Sequence, residues 1–439
     1  MNRFIVLLFS AALLSCTAAP AAGGDGTVSS TFKGKVNYRE FFTSERLRVD
    51  LVLAGDAASQ SVYLKGLQKE SLWSASETNL IDTFGYGQYF YELFSDGKLV
   101  FSKGFCTLFD EWCTTAQATK VQMAAGQSIW IPMPKSAARL VIYRRVRQTG
   151  KFEVMTQFDI DPSDRHIAPC LEEVCPVSSE LKGDPSHKVD IALVAEGYTA
   201  DNMEKFRSDA RRLVETFFSL EPYASRRDDF NLWFVECPSA ENGVTVPQNG
   251  TWRNTVLASM FDTFYIDRYL TVWDHSLIAK AAAGVPHDAL IVVANESKYG
   301  GGGVYNSYAL GTADNKLSEV VMVHEFGHSF AGLADEYYTS DVAYEDFYLP
   351  GIEPWEPNIT NLTDFGSKWK DMVAPDTPVP TPADPEKWYG VVGVFEGAGY
   401  MAKGCYRPYY ECRMLNNTAP GFCPVCRKAI NDMIDWYVK

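Results

Sequence analysis

The hydrophobic period of this chain changes once, and that change constrains its fold more than any other feature. From about residue 28 to 160 apolar residues recur at every second position, as where Leu47, Val49 and Leu51 alternate with Arg48 and Asp50 and Leu53 follows. A period of two sets one face of a strand toward a core and the other away from it. Tyr89 to Phe94 and Lys98 to Phe101 flank Ser95-Asp96-Gly97, a turn signal. Leu140 to Val146 and Phe152 to Phe158 flank Gln148-Thr149-Gly150 in the same way. Short strands at this spacing predict an all-β, sandwich-like or barrel-like domain over residues 28–160.

Beyond residue 188 strands alternate with helices. Val189 to Ala195 is an unbroken apolar run suited to a strand buried on both faces. Phe206, Ala210, Leu213, Val214, Phe217 and Phe218 then recur at helical spacing. Leu232 to Val235 and Leu290 to Ala294 read as strands, and Val256 to Ala283 as helical with interruptions. Residues 188–439 are therefore expected to form a second domain, α/β in its first part. Residues 161–187, polar and Pro-containing, read as the linker. A length of 439 residues exceeds what one core usually fills, which agrees with two domains. Forty basic against 55 acidic residues leave a net charge of −15, and the basic run Arg139 to Arg147 alternates as a strand face, so nucleic acid is not expected as a partner.

The first sixteen residues point to export. Arg3 gives a positive start, Ile5 to Leu14 form an apolar run too short to span a bilayer, and Ser15-Cys16 follows. This resembles a bacterial lipoprotein signal, in which Cys16 becomes the lipid-bearing N-terminus and residues 17–27 a flexible tether. The protein is then expected at the cell envelope or surface, anchored to a membrane. A secretory signal cut near Ala19 to Ala22 is the alternative. Ten cysteines suit an oxidising compartment. Proximity in sequence suggests bridges Cys106–Cys113 and Cys170–Cys175 and two among Cys405, Cys412, Cys423 and Cys426, with Cys237 left as a thiol. Cys423-Pro-Val-Cys426 also has the spacing of a redox or zinc-knuckle fragment, which would need further ligands.

The chemistry concentrates in Leu317 to Tyr338, LSEVVMVHEFGHSFAGLADEYY. Ser318 offers an N-cap, Val320, Val321, Val323, Phe326 and Phe330 an apolar stripe, and Gly332 a left-handed stop. His324 and His328 stand four apart, so both imidazoles leave one helix face and can grip one metal ion, expected to be zinc. Glu325, offset from that axis, is expected to act as the general base on water rather than as a ligand. A catalytic zinc takes three protein ligands, and a chain reversal at Gly332 would return Asp335 to the metal, with Glu336 as the rival.

HEFGHSFAGLADEYY resembles the HExxH-to-DEY signature of the bacterial IgA-peptidase family of zinc metallopeptidases, which is similar to the metzincins in placing a methionine turn beneath the metal. VDIALVAEGYTADNMEKFRSDA (189–210) resembles the family's opening strand and first helix, and YGGGGVYNSY (299–308) its glycine-rich segment. YRPYYECRM (406–414) resembles its closing turn, which makes Met414 the methionine candidate. Residues 28–160 resemble the family's N-terminal accessory domain. Against HExxHxxGxxH, the glycine and the third ligand each fall one residue later, and the last is Asp.

The resemblance implies a metzincin-like α+β or α/β peptidase domain after the β domain, hydrolysing extracellular or host proteins or peptides. Tyr406 or Tyr409 is a candidate for stabilising the oxyanion, and an edge strand beside the active helix for holding extended substrate. Two other readings remain open on sequence: a non-catalytic surface lipoprotein with a structural metal, and a zinc hydrolase acting on a non-peptide bond.

Overall fold

The computed structural model describes residues 26–171, 175–339 and 348–439. Cys16, the signal segment and nearly all of the tether lie outside the described residues. The period-two region supplies seven strands of two four-stranded sheets, and the eighth comes from the stretch that follows it. One has the order β5 (Met123–Pro134), β1 (Phe42–Gly55), β2 (Gln60–Glu70), β8 (Ala168–Pro169). The other has the order β4 (Lys98–Phe105), β3 (Tyr89–Ser95), β6 (Ala138–Arg145), β7 (Phe152–Ile160). Leu47, Val49, Leu51 and Leu53 of β1 are buried against Leu93, Leu140 and Ile142 of the facing sheet, which makes this a β-sandwich.

The opposite face of β1 is also buried. Arg48 is fully covered and pairs at 3.1 Å with both Asp50 and Glu70, while Arg46 donates to the carbonyl of Val285 in the second domain at 3.1 Å. The polar half of the alternating pattern thus meets another protein layer rather than water, and its charges neutralise one another there.

The second domain is built on a six-stranded sheet of order β13 (Gly301–Val304), β14 (Tyr308–Thr312), β12 (Ala289–Ala294), β10 (Val189–Glu196), β11 (Phe230–Val235), β9 (Val177–Glu180). β10 runs parallel to β11 and β12, β12 parallel to β14, and the two outer strands antiparallel to their neighbours. Ile191 and Leu193 face the helices Met203–Phe217, Ser318–Ala331 and Pro424–Val438, while Ala192 and Val194 face a second core on the other side. Both faces are covered, as the unbroken apolar run of β10 requires. A hairpin of β15 (Phe395–Ala398) and β16 (Met401–Arg407) lies outside this sheet.

Two expectations are corrected, the long helix and the disulfides, and the linker stretch is found to carry two short strands. Residues 256–283 hold only one α-helix, His275–Ala281; Leu257, Phe261, Leu270 and Val272 reach the second core from a loop stitched by the bridge Met260–Thr271 and carrying left-handed residues at Ala258, Asp262, Phe264 and Tyr265. Burial of apolar side chains from an irregular loop imitates helical spacing. The stretch 161–187 supplies an edge strand to each domain, β8 and β9. Finally, Cys175 bridges to Cys237, 62 residues on, instead of to Cys170. Cys106 packs toward the second domain while Cys113 lies in the sandwich core, so these two are not bridged, and Cys405, Cys412, Cys423 and Cys426 form no disulfide either.

Candidate metal centre and active-site cleft

The helix Ser318–Ala331 carries both candidate histidines, and its ends explain their position. Ser318 is its first residue rather than its cap: Leu317 holds the cap position, and the Ser318 hydroxyl accepts from the Asn315 N–H at 3.0 Å. At the other end Gly332 takes φ 63°, a left-handed conformation that costs glycine little, and the chain reverses there. Asp335 is thereby returned to the helix. Its Oδ1 lies 2.9 Å from His324 Nε2 and 3.4 Å from His328 Nε2, and the two Nε2 atoms are 3.0 Å apart.

The other ring nitrogens fix the tautomers. His324 Nδ1 lies 3.0 Å from the carbonyl of Arg413, and His328 Nδ1 lies 2.5 Å from the carbonyl of Leu333. A carbonyl can only accept, so each Nδ1 donates, and in the neutral ring each Nε2 presents a lone pair. Two lone pairs and a carboxylate oxygen converging at about 3 Å form a nest for positive charge.

The ionisation of the carboxylates agrees. Burial alone would raise the Asp335 carboxyl, but the positive charge of His328 and the close approach of both imidazoles hold it well below the usual range. Burial pulls His328 down, yet Asp335 outweighs it and lifts the ring to about 9, so the carboxylate draws a cation, proton or metal, to this spot. Glu325 stands beside the histidines at the cleft wall. Burial pushes its carboxyl up, and the neighbouring imidazoles oppose that. Two nitrogens and one carboxylate oxygen with a cleft on the open side match what zinc takes when one position stays free.

Glu336, the rival third ligand, faces elsewhere: its Oε1 accepts from Asn358 Nδ2 at 3.0 Å and lies 3.1 Å from Cys426 Sγ. Met414 is fully buried under the helix, where its Sδ lies 2.9 Å from the point a Cβ on Gly327 would occupy. The glycine run forms β13, an edge strand laid across the active helix. A Cβ at Gly303 would fall 2.3 Å from the Glu325 carbonyl oxygen and 2.9 Å from His328 Cβ, so only glycine permits this approach.

Tyr406 and Tyr409 are not among the cleft-lining residues; Tyr337 and Tyr400 are. The Tyr400 hydroxyl donates to Asp335 Oδ2, and the hairpin tip is tied to the ligand segment by Gly399 N–H to the Asp335 carbonyl (3.0 Å) and Tyr400 N–H to the Tyr337 carbonyl (2.9 Å). The sandwich supplies the opposite wall through Gln88, Thr107 and Glu111, whose Oε2 accepts from the Tyr269 hydroxyl at 2.7 Å. The turn-prone Gly397-Ala398-Gly399-Tyr400 was a local signal for that tip, but nothing in sequence ties it to Asp335.

The sequence profile of the IgA Peptidase M64 family matches residues 178–389 and 384–434, and that of the Peptidase M64 N-terminus matches residues 37–156. The chain belongs to the IgA Peptidase M64 family. Membership makes it a metallopeptidase with the family's N-terminal domain. A search of curated proteins returned no match.

Proposed function

We propose that this M64 peptidase is a zinc-dependent endopeptidase acting on extracellular or host proteins, with His324, His328 and Asp335 as the zinc ligands and Glu325 as general base. The observation that carries this reading is the convergence of His324 Nε2, His328 Nε2 and Asp335 Oδ1, with both Nδ1 atoms committed to carbonyls. Zinc bound there supplies a Lewis acid that activates water and polarises the scissile carbonyl. Glu325 takes the proton from water and delivers it to the leaving amine, a role suited to a carboxyl whose proton affinity burial has raised. Tyr400 holds Asp335 in its orientation through Oδ2. β13, outermost in the sheet and in the cleft wall, offers an extended substrate main-chain partners beyond Gly301, which itself bridges to Tyr269.

The family match favours a peptide bond over other scissile groups, and Glu325, which a merely structural metal would not need, speaks against a binding module. The lipid on Cys16 belongs to the same proposal and rests on residues 1–16 alone; it would anchor the enzyme to a membrane at the cell envelope, and loss of labelled acyl chain in Cys16→Ala tests it.

The central test is Glu325→Gln assayed on a peptide library alongside zinc content. Turnover should fall by about 10²–10⁴-fold with one zinc retained in the histidine site. Cleavage at the wild-type rate, or a histidine site that takes up no zinc, would overturn the reading.

A further inference from the structure

Cys412, Cys423, Cys426 and Glu336 bring three sulfurs and a carboxylate oxygen within 4.8 Å of one another in the interior, and each residue is at most 2 % exposed. Cys412 Sγ and Cys426 Sγ are 3.6 Å apart. A disulfide needs about 2.0 Å, whereas two thiolates on one tetrahedral zinc, each at about 2.3 Å, stand about 3.8 Å from one another. Pairing any two of the cysteines would also leave the third thiol and the carboxylate unanswered.

Two further observations point to a cation. Glu336 Oε2 is buried without a hydrogen-bond partner, although Oε1 of the same group is held by Asn358. Such an orphaned carboxylate oxygen carries a full desolvation cost unless a positive charge meets it. The sulfurs, for their part, receive main-chain donors: Cys423 N–H points to Cys412 Sγ at 3.4 Å, and Cys426 N–H to Cys423 Sγ at 3.5 Å. Both donors belong to the start of the helix Pro424–Val438, whose positive end favours thiolate over thiol. The zinc-knuckle spacing Cys423-x-x-Cys426 thus finds two further ligands, contributed by segments remote in sequence.

We propose that Cys412, Cys423, Cys426 and Glu336 form a second zinc site, closed and structural, distinct from the histidine site. Four protein ligands leave no position for substrate. Loading releases the protons of whichever thiols are still protonated and needs no oxidant. The site joins three segments: the stretch that follows Gly332, the turn that carries Met414, and the C-terminal helix. Asp335 and Glu336 are neighbours in sequence, and the Glu336 N–H also donates to the Met414 carbonyl at 2.8 Å. The second ion therefore fastens the segment that presents Asp335 to the cleft.

The test is metal content and zinc X-ray absorption on the full mature chain refolded or purified with zinc. The wild type should hold two zinc ions, with a sulfur shell at about 2.3 Å in addition to nitrogen and oxygen. His324→Ala/His328→Ala should keep one zinc surrounded mainly by sulfur, and its cobalt-loaded form should show thiolate-to-metal charge-transfer absorption. Cys423→Ser/Cys426→Ser should lose that sulfur shell; should it fail to fold, the wild-type spectrum decides. A wild type whose zinc has only nitrogen and oxygen neighbours, or a disulfide among Cys412, Cys423 and Cys426 in non-reducing peptide maps, overturns the second site and leaves the histidine site standing. A single sulfur-bound zinc in the wild type does the reverse.

Discussion

Each histidine of the cleft has one ring nitrogen committed to a main-chain carbonyl, and this commitment makes single residues consequential. Asp335 is the group that attracts charge, and Asn in its place would keep the shape while removing the attraction. Asp335→Asn should weaken zinc binding at least tenfold in a chelator competition, with the fold intact by circular dichroism. Tyr400 acts one step further out, through Asp335 Oδ2. Tyr400→Phe should cost about 10–100-fold in zinc affinity or activity; an unchanged value in both would remove Tyr400 from the site. His324, Glu325, His328 and the Gly332 stop were legible in sequence because all lie within one helix and its end, where spacing fixes direction. Tyr400 and the Arg413 carbonyl were not, since they arrive from 65 and 89 residues away and only the fold brings them near.

At the scale of elements, the closest fit in the cleft is that of β13 on the active helix. Gly303→Ala would drive a methyl into the Glu325 carbonyl, which is main chain and cannot swing aside. About 1–3 kcal/mol of stability should be lost, seen as a lower urea midpoint, together with activity through displacement of Glu325 and His328. A variant as stable and active as the wild type would show that the strand does not bear on the helix. The strands of the sandwich and of the central sheet could be read from their periods, because each presents a regular face to a core. The loop around Met260 could not, because its apolar residues are buried without regular geometry.

For the whole molecule the junction between domains matters most. His275 is buried there, with Ser128 N–H of β5 donating to its Nδ1 at 3.2 Å, and burial lowers its pKa from 6.5 to about 4, with Asp274 and Asp50 pulling the other way. The folded state therefore binds fewer protons than the unfolded chain between these values. Its contribution is complete above pH 6.5 and is lost as the pH falls toward 4, by on the order of 3 kcal/mol at 1.36 kcal/mol per unit. Thermal unfolding followed from pH 7.5 to 4.5 should show this loss, and His275→Gln should flatten it; an equal slope in both would refute the assignment. The junction itself escaped the sequence, since Arg46, Arg48 and Asp50 look like the wet side of a strand until a second domain covers them.

The Gly332 reversal has one more consequence. Compared with HExxHxxGxxH, the active helix here runs one residue longer, yet the glycine and the carboxylate move together, so three steps still separate the bend from the donor. What matches the motif is the step count from the bend to the donor, not the distance along the chain from the second histidine. Because consecutive side chains at 335 and 336 serve different partners, inserting or deleting a single residue between the bend and this pair would put one of them at the other's address and misdirect both at once.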